Sequence, residues 1–402
     1  MDLSIYSLRT KDILTLCVLS LLCLGVLMVQ SASSDVTNQT GWEWTAKGIK
    51  HATFATSALA TFLAVGWFDC AWVLRPAKKI WHSPIFWMLA IAGLANLAVL
   101  IPGVGVEVNH SRRWLPLGPI QVQPSELGKW AIVLYLAYFL ANRPLDVNRF
   151  FRGFIPMLIP VAAICLLVVI QDFGTALLIA LCALVMMIAG KVRWTHLLIV
   201  LPPIIAAGLW FVMHKAYRWQ RITAFANPYA APSREGYHMI QSLLSFATGG
   251  VTGRGLGNGI QKLGYLPEDT TDFIFSVICE ELGLFGALMT IALYVGILYC
   301  AWEAMKQRPD SGGKLMAFGI GMMVCLQATI NIAVSTVSVP TKGLPLPLIS
   351  AGGSGLIITC AALGLLRSAC NEKATVNPAM EQRPPDLSGV FLPPPAGECK
   401  SA

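Results

Sequence analysis

The chain has 402 residues, of which 55% are hydrophobic and 12% charged, with a formal net charge of +8 and a mean hydropathy of +0.64. A soluble globular domain carries about a quarter charged residues, so that class is excluded, and no nucleic-acid partner is expected. Apolar runs near the ~20 residues that cross a bilayer recur along the whole length, the pattern of a polytopic helical membrane protein.

Ten spans are expected, near 12–31, 51–69, 84–102, 126–141, 154–170, 174–190, 196–213, 273–302, 313–339 and 348–369. The predicted fold is therefore all-α, with about ten transmembrane helices and a large extracytoplasmic loop between spans seven and eight. No A-x-A-like cleavage site follows the first span, which reads as an uncleaved anchor. The fourth span is short, and its start overlaps the polar Glu126 and Lys129. Loop lysines and arginines favour cytoplasmic N- and C-termini. Residues 1–370 form one membrane domain; 371–402, polar and proline-rich, are expected to be a disordered cytoplasmic tail. The eleven cysteines are mostly single residues in apolar spans with no C-x-x-C pair, and read as small buried hydrophobes. No internal repeat or matched pair of broken helices points to a transporter.

Three Gly/Pro-rich segments on the expected outer face carry cations against the usual bias, which suggests an anionic ligand there. The first is NHSRRWLPLGPIQVQPSELGK, residues 109–129. Its prolines and Gly118 forbid a regular helix through most of it. Pro124-Ser125-Glu126 is a good helix start, with Glu126 and Lys129 on one face at i,i+3. A surface ion pair is one reading; charges at the mouth of a membrane helix are costly and usually functional.

The second segment, 214–271, holds Arg218, Arg221, Gln241 and the run TGGVTGRGLGNGIQKLG at 248–264. A lone Gly-rich run is a weak phosphate signal without a preceding strand, and a flexible lid is equally compatible. The third, SVPTKGLPLPLISAGGSG at 338–355, contains Lys342 and Ser350. Irregular backbone at membrane depth survives only where it is buried in protein or lines a wet cavity, so the three segments together suggest an outward-opening cavity.

Overlapping the end of the second segment, GYLPEDTTDFIFSVICEELGLFG, 264–286, gathers five of the chain's 21 acids: Glu268, Asp269, Asp272, Glu280 and Glu281. Asp272 falls at the start of the eighth span, where the helix dipole favours its ionised form and desolvation opposes it. A poised carboxylate beside cations suits a general base; a helix-start acid without chemistry is the alternative. Glu280 and Glu281, deeper and pointing different ways around the helix, read as intramembrane packing partners.

The stretches RRWLPLGPIQVQPSELGK, QDFGTALL, RITAFANP, the 236–286 run and PTKGLPLPLISAGGSG together resemble the SEDS family, the peptidoglycan glycosyltransferases of shape, elongation, division and sporulation. They cover nearly the whole membrane region in order, and QKLGYLPE and PTKGLPLP lean towards the division branch. The resemblance implies polymerisation of lipid II into β-1,4 glycan outside the membrane, with undecaprenyl pyrophosphate as leaving group. It implies Asp272 as catalytic acid–base residue, in Thr270-Thr271-Asp272-Phe273. It implies substrate contacts from Gln123, Ser125, Glu126, Lys129, Lys342 and Ser350. Arg113, Arg221 and Gln241 join them as outer-face candidates. The cations Arg113, Lys129, Arg221 and Lys342 would neutralise the departing phosphates, helped by a divalent cation, magnesium or manganese, on acids such as Glu126; no compact metal motif identifies the ion.

The implied partners are lipid II and the nascent glycan, a class B penicillin-binding protein (a transpeptidase), divisome membrane proteins and membrane lipid. Thr270, Ala351, Gln171, Ala231 and His238 depart from the family pattern and bear on substrate fit. A lipid II flippase would want polar groups across the whole bilayer depth, and a catalytically weak division scaffold would need no base. Both remain alternatives.

Overall fold

The computed structural model describes residues 9–34, 44–75, 82–108, 111–118, 120–142, 148–214, 216–230, 232, 236–262 and 265–371. The tail from 372, the loop cations Lys78, Lys79, Arg143 and Arg234, and the Arg218 side chain lie outside the described residues.

The helices run α1 (Thr10–Ala32), α2 (Ala46–Val65), a one-turn α3 (Ala71–Leu74), α4 (Pro84–Leu100), α5 (Pro124–Asn142), α6 (Ile155–Gln171), α7 (Phe173–Ala189), α8 (Trp194–Met213), α9 (Ala216–Ala226), α10 (Tyr237–Gly249), α11 (Ile274–Gln307), α12 (Ser311–Ser335) and α13 (Gly353–Asn371). Except for α3, α9 and α10, each coincides with an apolar segment expected to be helical. Among the described residues, six stretches are long and apolar enough to cross a membrane: α1, Phe150–Gln171, α8, α11, α12 and α13. Helices apolar on all sides belong in a bilayer, so this is a multi-pass membrane protein. The core packs α11 against α12 and α1, α12 against α5, and α13 against α2. By contrast, α8 is peripheral and turns Leu198, Ile199, Leu209 and Trp210 outward. Its Pro202 and Pro203 are tolerable where neighbouring groups can satisfy a bilayer helix.

Sequence reasoning expected no strands and no helix in the second segment. The region before α5 folds as β1 (Val106–Val108), β2 (Ser111–Leu117) and β3 (Ile120–Val122), an antiparallel meander with Val106 opposite Trp114 and Leu115 opposite Val122. Gly118, at φ +66°, supports the β2–β3 turn. In the second segment, α10 buries Met239, Ser242, Ser245 and Gly249 against α11.

The Gly-rich run is neither a lid nor an open phosphate loop. It enters the side of α11, which breaks at Gly283, at φ +64°. There the Leu284 N–H donates to the carbonyls of Gly250 and Val251, both at 3.1 Å. In return, the Arg254 N–H donates to the Glu280 carbonyl (3.0 Å) and the Gly255 N–H to that of Glu281 (2.9 Å). A side chain at Gly253 or Gly283 would collide with the opposing backbone, and both need positive φ, so glycine is required twice over.

The Glu280 and Glu281 side chains do not diverge as expected from helix phase. Both bend towards the row of N–H groups that the run presents. Glu280 accepts from Ile260 N (2.9 Å) and Gln261 N (3.2 Å); Glu281 accepts from Gly257 N, Gly259 N, Ser31 Oγ and, at 3.0 Å, Lys262 Nζ. Both glutamates are fully buried. These contacts satisfy the loop donors a phosphate would otherwise have met.

Candidate active site

Asp272 sits in the turn just before α11. The helix is capped by Phe273, with no side-chain cap bond, so Asp272 is not used as a cap. The turn is fixed from three directions. Asn331 Nδ2, on α12, donates to the Asp272 carbonyl at 2.8 Å and to the Leu344 carbonyl at 2.8 Å. Ser350 Oγ donates to the Thr271 carbonyl (2.6 Å) while accepting from Leu346 N (2.7 Å). The Ala351 N–H donates to the Thr270 carbonyl at 2.9 Å. The irregular 340–352 segment is thus held inside the protein as its depth requires, and Ser350 works as a clamp on the Asp272 turn.

Charges converge at this turn. A side chain at Gly343 would meet Asp272 Oδ2 at 3.2 Å and Arg113 Nη1 at 3.6 Å, so carboxylate and guanidinium both lie beside this one glycine. Arg113 Nε donates to the Gln171 carbonyl (3.0 Å), and its Nη1 lies 3.7 Å from Asp172 Oδ2. Asp172 caps α7, accepting from Gly174 N (2.9 Å) and Thr175 Oγ1 (2.9 Å). Lys342 Nζ lies 5.2 Å from the Phe173 ring centroid. Burial holds its ammonium below the ordinary lysine range, with Asp172 pulling the other way. Arg221 Nη1, from α9, donates to the Thr341 carbonyl at 3.3 Å.

Burial dominates the titration of Asp272. Desolvation, then Glu268 and Asp172, push its carboxyl up to about 7 against the opposing pull of Arg113 and Arg221. The dipole expected to keep it ionised is outweighed. A carboxylate titrating near neutrality among cations is the arrangement a general base requires.

The remaining candidates form a second group. Lys129 is 1% exposed and lies 2.7 Å from Glu126 Oε2 and 2.7 Å from Gln327 Oε1. Gln327 Nε2 in turn donates to the Pro345 carbonyl at 2.8 Å. This is a buried pair at the α5–α12 contact, not a surface one and not part of the Arg113–Asp272 cluster. Ser125 is buried beside it, and the Gln123 N–H donates to Ser354 Oγ at 3.2 Å. Gln241 is half-buried on α10, and its carbonyl accepts from Ser245 Oγ.

Sequence reasoning missed Asp172, Gln327 and Asn331. The last two, amides four residues apart in an apolar helix, share one face, and that was the available signal. Among the described residues no three His, Cys, Asp or Glu side chains could cage an ion, and Glu126 is already paired with Lys129. The residues present do not fit a preformed divalent-cation site.

A multi-pass membrane protein with a neutral-range carboxylate among arginines, held by irregular segments from distant parts of the chain, defines the class. The chain belongs to the FtsW/RodA/SpoVE family of cell cycle proteins, whose family model matches residues 11–375. It is 40% identical over 354 residues to the "Probable peptidoglycan glycosyltransferase FtsW" of Nitrosococcus halophilus, covering 86% of this chain and 88% of that one. The protein of the same name from Coxiella burnetii is 38% identical over 360 residues, with 88% and 94% covered. Among solved structures, one described as "Structural coordination of polymerization and crosslinking by a peptidoglycan synthase complex" matches with a TM-score of 0.70 at 25% identity, over 89% of this chain and 96% of that one. The crystal structure of the rod shape determining protein RodA of Thermus thermophilus matches in fold, with a TM-score of 0.63 at 24% identity, over 89% and 95% of the two chains.

Proposed function

We propose that this protein is a peptidoglycan glycosyltransferase that polymerises lipid II on the outer face of the cytoplasmic membrane for septal wall synthesis. The observation that carries the reading is the convergence of Asp272 with Arg113, Asp172 and Arg221. The family relatives carry the same activity in their names.

Asp272 takes the proton from the acceptor sugar hydroxyl as that oxygen attacks the anomeric carbon of the donor. The new C–O bond forms as the bond to undecaprenyl pyrophosphate breaks. Arg113, Arg221 and Lys342 stabilise the charge that develops on the departing phosphates. Gln123, just before α5, and Gln241, on α10, both half-buried, are further candidates for sugar and peptide contacts, whereas Ser125 is buried beside the Glu126–Lys129 pair and supports the site with it. Ser350 acts through the Asp272 turn, and the Glu126–Lys129 pair supports the site from α5. A class B penicillin-binding protein cross-links the product, with divisome membrane proteins as further neighbours.

The test is a purified assay of the protein with its transpeptidase partner and labelled lipid II. Glycan polymer is the expected product. Its rate rises with pH through about 7, because only the ionised Asp272, titrating near that value, accepts a proton. Translocation of lipid II without polymer would favour a flippase, and neither activity would favour a scaffold.

Topology is tested separately. The segments 109–125 and 214–271 face outward and 302–312 faces in, so single cysteines on a cysteine-depleted background react with an impermeant reagent only in the first two. Labelling of 302–312 in intact cells overturns this orientation.

A further inference from the structure

Helix α10 presents His238 to the turn that carries Asp272. Its ring lies flat on Phe273, with centroids 5.8 Å apart and planes at 13°. Phe273 is the residue after Asp272 and the cap of α11. Tyr237 flanks the imidazole edge-on at 6.4 Å. The turn itself is strained, since Glu268 has φ +60°, a left-handed conformation that costs a residue with a Cβ. It is closed by the N–H groups of Thr271 and Phe273 donating to the Glu268 carbonyl, both at 3.2 Å. Thr271 Oγ1 also donates to Glu268 Oε2 at 2.7 Å.

Among the described residues, the charges that act on the imidazole are Arg221 from α9 and Glu268 from the turn, and the Pro267 backbone hydrogen-bonds it. The same Arg221 and Glu268 act on Asp272. His238 Nδ1 is buried with no hydrogen-bond partner, and a buried orphan nitrogen calls for an explanation. Burial first, and then Arg221, hold the ring below the ordinary imidazole value of 6.5, so it stacks as the neutral form at neutral pH.

We propose that His238 is a positioning residue for Asp272: the neutral imidazole braces the Pro267–Phe273 turn, and its protonation loosens it. An imidazolium is disfavoured in the buried stack and beside Arg221. It is drawn instead to the Glu268 carboxylate, where it competes with the Thr271 hydroxyl that closes the strained turn. Acid on the site's side of the membrane therefore lowers polymerisation through two groups, the base and its brace. The inference rests on Asp272 being the base.

The experiment is the pH profile of kcat/KM for polymerisation of labelled lipid II by the complex with its transpeptidase partner. The parent protein loses activity through one proton near neutrality. Below 6.5, the ordinary imidazole value, the loss steepens towards about a hundredfold per pH unit, the signature of two coupled protonations. His238→Phe keeps the stack and cannot protonate; His238→Gln is polar and cannot protonate either. His238→Phe should work near the parent rate at alkaline pH, whereas His238→Gln, which loses the stack, should be slower at every pH; both should show a limb of only about tenfold per unit throughout. A one-proton limb in the parent, or a two-proton limb surviving in either variant, overturns the proposal. Full polymerisation by Asp272→Asn would instead overturn the assignment of the base, whatever the His238 profiles show.

Discussion

Asp272→Asn, compared with the parent at equal amounts of folded complex, lowers glycan polymerisation from lipid II by about 10²–10⁴. Asparagine keeps the shape and one hydrogen-bonding oxygen but cannot accept the proton of the attacking hydroxyl. The fold should be unaffected, because the turn is held through its backbone, by Asn331, Ser350 and Ala351. Asp269→Asn is the control: burial pushes its carboxyl up to about 6, yet no cation of the Arg113 cluster is placed on it. It should lose far less activity. Near-parental yield from Asp272→Asn ends the catalytic assignment.

Lys129→Met is expected to act on stability before it acts on chemistry. Removing one partner of a buried pair leaves an uncompensated charge and costs about 3–5 kcal/mol. Glu126, 6% exposed, would be that charge, and Gln327 would lose its ammonium donor. Thermal unfolding in detergent should show a large drop. The double variant Glu126→Leu/Lys129→Met should recover most of it, because an apolar replacement of a buried pair is often neutral. If the double variant folds and still fails to polymerise, the ammonium also has a role in handling substrate. A single variant as stable as the parent refutes the buried-pair account.

The apolar segments were legible because hydropathy alone selects helices that can live in a bilayer. Asp272 was legible because acids are scarce in this chain and five crowd one stretch. Depth was not legible. The spacing of Glu126 and Lys129 implies a shared helix face, but only the packing of α12 against α5 shows that the face is buried. The Gly-rich run carried only a weak phosphate signal, equally compatible with a lid, because composition states which backbone donors are exposed in isolation. Which acceptors meet them depended on Glu280 and Glu281 bending the same way, a choice made by side-chain torsions that helix phase does not fix. The 214–271 region looked like a loop because α10 is short and is stabilised by Ser242 meeting Ser276 Oγ and the Ser335 carbonyl, contacts far away in sequence.

The Glu126–Lys129 pair also bears on how the chain is made. Gln327 lies 198 residues beyond Lys129, so α5 must enter the bilayer long before α12 exists to receive it. An ammonium inserted alone at that stage would favour retreat of the helix to the interface. Because its counter-ion sits one turn away on the same helix, α5 arrives already neutralised and can wait in lipid for its late partner. The Asp272 turn has no counter-ion on its own helix and is held through its backbone by Asn331, Ser350 and Ala351, from α12 and the segment that follows it. A chain synthesised only to the end of α11 therefore lacks the groups that hold this turn, and activity begins once α12 and the segment after it have been added.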